Sequence, residues 1–168
     1  MQVRDASADD AAGIAAIYND AVRRTTAILN DAEVDAANRA AWIAARQAMG
    51  YPVLVACEGG RVLGYASFGD WRAFDGYRAT VEHSVYVDAD ARGRGIAQTL
   101  LQALTRRARD LGKHVMVAAI TAENEVSIRL HARMGFAETG RMREVGQKFG
   151  RWLDLVFMEL RLDDRPAP

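Results

Sequence analysis

One cysteine in 168 residues, Cys57, leaves the chain without an intrachain disulfide to staple it, a composition that fits a reducing compartment. Net charge is missing too. Twenty-two basic and 22 acidic residues cancel, and without a basic surplus neither a nucleic acid nor a membrane surface is an expected partner. No apolar run approaches the roughly 18 residues of a membrane span, and Met1-Gln2-Val3-Arg4-Asp5 has no apolar signal core. The expectation is a cytoplasmic protein. Internal repeats and low-complexity runs are absent. The three histidines, at 83, 114 and 131, fit no metal-ligand spacing, so no metal is expected.

What the chain does have is a globular balance: 50% hydrophobic and 26% charged residues, enough length for one sizeable core. Residues 1–162 are expected to form a single domain, and 163–168 a polar tail. A short strand at 2–6 precedes Ser7 and Asp10, spaced as a capping box, and Ile14, Ile17, Tyr18, Ala21 and Val22 then recur at helical spacing. A polar connection at 24–35 leads to a second helix near 35–48. "YPVLVACEGGRVLGYASFGDW" reads as two strands about a Gly59-Gly60 turn, and "RATVEHSVYVD" as a third.

A helix with an apolar face from Ile96 to Leu111 follows, stopped by Gly112. "VMVAAI" (115–120) suits a strand buried on both faces. A helix from about Glu125 to Gly135 and strands near 136–146 and 152–161 complete the order β-α-α-β-β-β-α-β-α-β-β. The expected class is α/β (α+β), helices around a mixed, mostly antiparallel sheet.

Between the third strand and its helix stands "VDADARGRGIAQTLL" (87–101). A helix N-terminus leaves about four N–H groups without partners and attracts anions. Glycines there admit a ligand to the backbone, and Arg92 and Arg94 could pair with phosphate. The bland alternative is a tight turn with solvated arginines. Two other phosphate motifs are excluded: Ile96-Ala97 stand where a P-loop needs Lys-Ser/Thr, and Gln98 stands where a dinucleotide fingerprint needs its third glycine.

Arg92-x-x-Gly95-x-Ala97, after a strand and opening a helix, resembles the acyl-CoA pyrophosphate signature of the GNAT superfamily of N-acetyltransferases. "NEVSIRLHARMGF" (124–136) resembles that family's second motif. The stretches "TVEHSVYVDADARGRG" and "VGQKFGRWLDLVFMEL" are similar to its phosphinothricin and methionine sulfoximine or sulfone acetyltransferase branch. The resemblance implies the GNAT acyl-CoA N-acyltransferase fold, acetyl-CoA as cosubstrate, a small amino-acid-like acceptor and a homodimer, with the last strands and aromatic-rich loops as contact surfaces.

Acyl transfer to an amine needs an unprotonated nitrogen, stabilisation of an oxyanion and a proton for the leaving thiolate. The resemblance gives the base role to Glu82 and a general-acid or CoA-orienting role to His131, each of which could instead be structural. Backbone groups of Val85, Tyr86 and Val87 would hold the pantetheine arm. Arg92, Gly93, Arg94, Gly95, Ile96, Ala97 and Gln98 would hold the pyrophosphate. Asn124 would bond the pantetheine amides, cap its helix, or both, and Arg133 would reach CoA or solvent.

Arg72, Phe74, Asp75, Gly76 and Tyr77, with Glu82, would bind the acceptor. Phe74 replaces a more basic residue of the phosphinothricin enzymes, which favours a less anionic acceptor. Alternation puts Thr80, Glu82 and Ser84 on one side of their strand and Val81, His83 and Val85 on the other, so His83 reads as structural. Cys57, in an apolar strand, reads as an inert buried thiol, and direct transfer in a ternary complex follows. A protein or peptide N-acetyltransferase and a non-catalytic CoA-binding module are the alternatives.

Overall fold

The computed structural model describes residues 1–168. Its elements are β1 (Gln2–Asp5), α1 (Ala11–Arg24), α2 (Ala36–Ala48), β2 (Val53–Glu58), β3 (Arg61–Asp70), β4 (Thr80–Val87), α3 (Ile96–Asp110), β5 (Val115–Thr121), α4 (Glu125–Arg133), β6 (Ala137–Lys148) and β7 (Arg151–Arg161). This is the order the sequence predicts. One seven-stranded sheet runs β1-β2-β3-β4-β5-β7-β6. The ladders β1–β2, β2–β3, β5–β7 and β6–β7 are antiparallel, and β4–β5 is parallel. No helix is long and apolar enough to cross a membrane.

The chain divides into two compact units, residues 1–68 with 84–104 and residues 69–83 with 105–168. In the first, Ile14, Ile17 and Ile43 from α1 and α2 pack with Val53, Val55 and Tyr65 in one buried cluster. The turn into α1 is fixed by Asp10: its carboxylate accepts from Ser7 N at 2.8 Å and takes both arms of Arg4 at 2.7 and 2.8 Å. A bulge leaves Leu63 without a place in the register, since Ala56 pairs with Gly64 but Cys57 with Val62, and an extra residue reverses which way the following side chains point. Gly64 consequently lies under α3. A Cβ there would come within 3.2 Å of Ile96 and Leu100 and 2.9 Å of Tyr86 O, so only glycine admits the helix this close.

In the second unit β5 is nearly all buried, as its apolar run predicts, and pairs with β7 along its whole length, Val115↔Arg161 to Thr121↔Leu155. The β6–β7 hairpin is longer than the sequence indicates. Its strands close on Phe149-Gly150, with Phe149 at a φ of 51°. The tail is tied down: Asp163 meets His114 Nδ1 at 2.7 Å and Arg165 donates to Gly112 O at 2.6 Å.

Candidate active site

In the first unit, Gly93 and Gly95 sit at φ of 77° and 75°. A Cβ at either would meet nothing within 4 Å, so conformation rather than space demands glycine. Ile96 is buried and anchors the first turn of α3, while Arg92, Arg94 and Gln98 face solvent and Ala97 is half-buried. The first-turn N–H groups at 96–98 are those a helix leaves without intrahelical acceptors.

The arginines are more occupied than the sequence indicates. Arg94 places one guanidinium nitrogen 3.0 and 2.8 Å from the two Glu58 oxygens, and this pairing holds the Glu58 carboxyl below its ordinary value. Arg92 lies 3.9 Å from Asp20, whose other oxygen meets Arg24 at 3.3 Å. An arriving phosphate therefore competes with carboxylates for both side chains, but not for the glycine-turn amides.

β4 carries the remaining predicted groups. Its ladder with β5 stops at Glu82↔Val117, so Val85, Tyr86 and Val87 lie beyond it. Alternation holds: Val81 and His83 are buried, Thr80, Glu82 and Ser84 half-buried. In the second unit, burial pushes the Glu82 carboxyl above the ordinary carboxylate value, and the nearby Arg72 charge partly opposes this. Arg72 is stacked 4.7 Å from the Trp71 ring centre. Trp71 is itself fixed, its N–H donating to Thr80 O at 3.3 Å and its ring edge-on to Phe157 at 5.8 Å. Asp75, Gly76 and Tyr77 form a 3-10 turn on which Arg78 closes, 2.9 Å from Asp75 O. Phe74 and Tyr77 do not wall a closed pocket within this chain; they are 77% and 45% exposed.

Asn124 caps α4, its side chain accepting from Ser127 N at 3.2 Å. His131 is 2% exposed, with Nδ1 2.7 Å from Ser127 O and Nε2 3.1 Å from His83 Nε2. The sequence offered His131 both a chemical and a structural part. The structure occupies both its ring nitrogens and stacks it on His83, with Phe136 edge-on to both rings. Arg133 is exposed at the end of α4.

A cluster in the first unit escaped the sequence reading. Tyr65 lies 5.3 Å from Tyr86, and Arg39 stacks 4.8 and 5.0 Å from the Tyr18 and Trp42 ring centres. Asn30 donates to Tyr18 Oη at 2.7 Å, and Asn19 holds Val34 at both N and O, so the connection after α1 is pinned here. Alternation in β4 puts Tyr86 on the same strand face as Glu82, the one signal that could have found it. Cys57 is buried, and burial raises its thiol, so it stays protonated. A cavity of about 390 Å³ lined by Arg78, Lys113, His114 and Arg165 lies at the starts of β4 and β5 and includes none of the predicted site residues. No group of three or more His, Cys, Asp or Glu side chains is placed to hold a metal ion.

One mixed seven-stranded sheet with four helices, in which a strand runs through a glycine turn onto a helix, is an arrangement shared with a solved structure that holds acetyl-CoA. Residues 14–136 match the model of the acetyltransferase (GNAT) family, and the chain belongs to that family. It is 62% identical, over 99% of its own length and 98% of the relative's, to the L-methionine sulfoximine/L-methionine sulfone acetyltransferase of Pseudomonas paraeruginosa. The phosphinothricin N-acetyltransferase of Alcaligenes faecalis is 39% identical, covering 96% and 81% of the two chains. Among solved structures, a Salmonella typhimurium acetyltransferase with its cofactor acetyl-CoA superposes with a TM-score of 0.97 at 57% identity, covering 99% and 96%.

Proposed function

We propose that this acetyltransferase moves the acetyl group of acetyl-CoA to the α-amino group of a small amino-acid analogue of the methionine sulfone or sulfoximine type. Glu82 carries the reading. It is a half-buried carboxylate raised above its ordinary value, on the strand whose ladder with β5 stops at Glu82↔Val117. A base of this kind takes a proton from the substrate ammonium directly or through water. The freed nitrogen attacks the thioester carbonyl, and as the C–S bond breaks the nitrogen sheds its second proton, which balances the one taken up by the departing thiolate.

The glycine turn suits a diphosphate because Gly93 and Gly95, at positive φ, carry no side chain and have open space beside them where the chain enters α3. By the family resemblance, residues 92–98 would hold that group and the β4 segment 85–87 the pantetheine arm, while Asn124 and Arg133 carry over from the family's second motif. Arg72, over the Trp71 ring, would take the substrate carboxylate. Phe74 through Tyr77 would meet the side chain, and the 62% relative favours a sulfone or sulfoximine over phosphinothricin. His131, buried against His83, would orient α4 rather than meet the thiolate itself.

Thiol release from acetyl-CoA across free amino-acid analogues and short peptides tests the reading. Methionine sulfone and sulfoximine are expected to exceed phosphinothricin and every peptide in kcat/KM. Peptide preference would make the chain a protein acetyltransferase, and no release with any amine would make it a binding module.

The reading includes a cytoplasmic homodimer. Its support is the family resemblance together with the exposure of Phe74, Met142, Val145, Phe149 and Trp152, 47–77% each, on the aromatic loop and last hairpin of the second unit that the resemblance gives as contact surfaces. Light scattering is expected to give twice the 18.4 kDa chain mass; a monomer at micromolar concentration contradicts it.

A further inference from the structure

His83 stands one residue from the proposed base, on the buried side of β4. The hydrogen bonds around it fix where each proton resides. His131 Nδ1 lies 2.7 Å from the carbonyl of Ser127. A carbonyl only accepts, and the Ser127 hydroxyl, farther off at 3.3 Å from the same nitrogen, can accept as well, so Nδ1 carries the hydrogen. In the neutral ring, Nε2 is then a bare acceptor. Its partner at 3.1 Å is another ring nitrogen, His83 Nε2, which has to donate. His83 is left with an unprotonated Nδ1, the one buried side-chain nitrogen or oxygen with no hydrogen-bond partner.

An unmatched buried acceptor is costly. The opposite tautomer of His83 would put two lone pairs face to face and break the link to His131. The arrangement retained is the one that keeps a continuous strut: His83 Nε2–H to His131, His131 Nδ1–H to Ser127 O, and Ser127 N–H to Asn124 Oδ1 at 3.2 Å. All four residues belong to the second unit.

We propose that His83 is a positioning residue: by donating from Nε2 it fixes the His131 tautomer that ties the first turn of α4, and Asn124 with it, to strand β4. Resting on the proposed function, the strut keeps the acyl-CoA contact of Asn124 in register with the strand that bears Glu82. It serves acetyl-CoA binding rather than acceptor binding.

Long-range ¹H–¹⁵N spectra of the histidine-labelled full chain at pH 7.5 read the tautomers without reference to activity. His131 is expected as the Nδ1–H form and His83 as the Nε2–H form; the reverse at either ring, or a charged ring, overturns the proposal. His83→Phe removes the donor, and His83→Gln can restore it. The phenylalanine variant is expected to raise the KM for acetyl-CoA about tenfold while the amine KM stays within about twofold, with glutamine recovering most of the loss. An unchanged acetyl-CoA KM in His83→Phe, or a glutamine variant as impaired as the phenylalanine one, overturns it. Should His83→Phe not fold, His131 in His83→Gln decides: the Nδ1–H form supports the strut and the Nε2–H form overturns it. Wild-type protein that takes up no acetyl-CoA in calorimetry would sink the functional reading instead, and the tautomer result stands apart from that.

Discussion

Glu82→Gln is expected to lower kcat about 10²–10⁴-fold at neutral pH, the range a positioned general base supplies, while acetyl-CoA still binds. The pH profile gives the sign. A base works ionised, so activity falls as pH drops through the folded pKa of Glu82, which burial holds above its ordinary value. The acid limb of kcat/KM for the wild-type protein should therefore lie above the usual carboxylate range and be absent from the variant. Stability moves the other way. A carboxylate with a raised folded pKa is ionised at a cost to the native state, so glutamine is not expected to lower the melting temperature. A kcat loss under about threefold in steady-state thiol release would remove Glu82 from the chemistry.

Acid should loosen the second unit through its paired histidines. Burial first, and the neighbouring His131 second, push His83 down from 6.5 to about 3, and burial lowers His131 against the opposing bond to Ser127 O. For a base with a depressed folded pKa the unfolded chain takes up the proton first. The stabilisation is complete above about pH 6.5 and is lost progressively as pH falls below it. Urea midpoints between pH 7.5 and 4.5 are expected to fall steeply, and less steeply in His83→Gln. Asp10, lowered chiefly by its bond from Arg4, acts below its ordinary 3.8 and so outside this window. Equal slopes for the two proteins would show that the histidines do not titrate as described.

Local signals in the sequence served well wherever the determinant is local. The capping residues Ser7 and Asp10, the Gly59-Gly60 turn and Gly112 are set by neighbours within a few positions, and each stands where expected. Alternation in "TVEHSV" separated Glu82 from His83 correctly because a strand repeats every two residues. The helix faces were legible for the same reason.

What the sequence withheld depends on contacts distant in the chain. Arg94 meets Glu58 across 36 positions and His131 meets His83 across 48, and no spacing rule announces either. The strand order β5-β7-β6 and the bulge at Leu63 are equally non-local. The last two strands run closer to their turn than the sequence indicates, because a turn with a non-glycine residue, Phe149, at φ 51° has no sequence signature as clear as Asn-Gly.

Competition in one reaction tests the central claim most directly. Acetyl-CoA is supplied to the full chain with equal concentrations of L-methionine sulfone and a tripeptide beginning with methionine, and the acetylated products are separated by mass. N-acetyl-methionine sulfone as the dominant product, made by the wild-type protein and lost with Glu82→Gln, is the predicted result. Acetylated tripeptide in excess, or amino-acid product forming equally fast without the carboxylate, would contradict it.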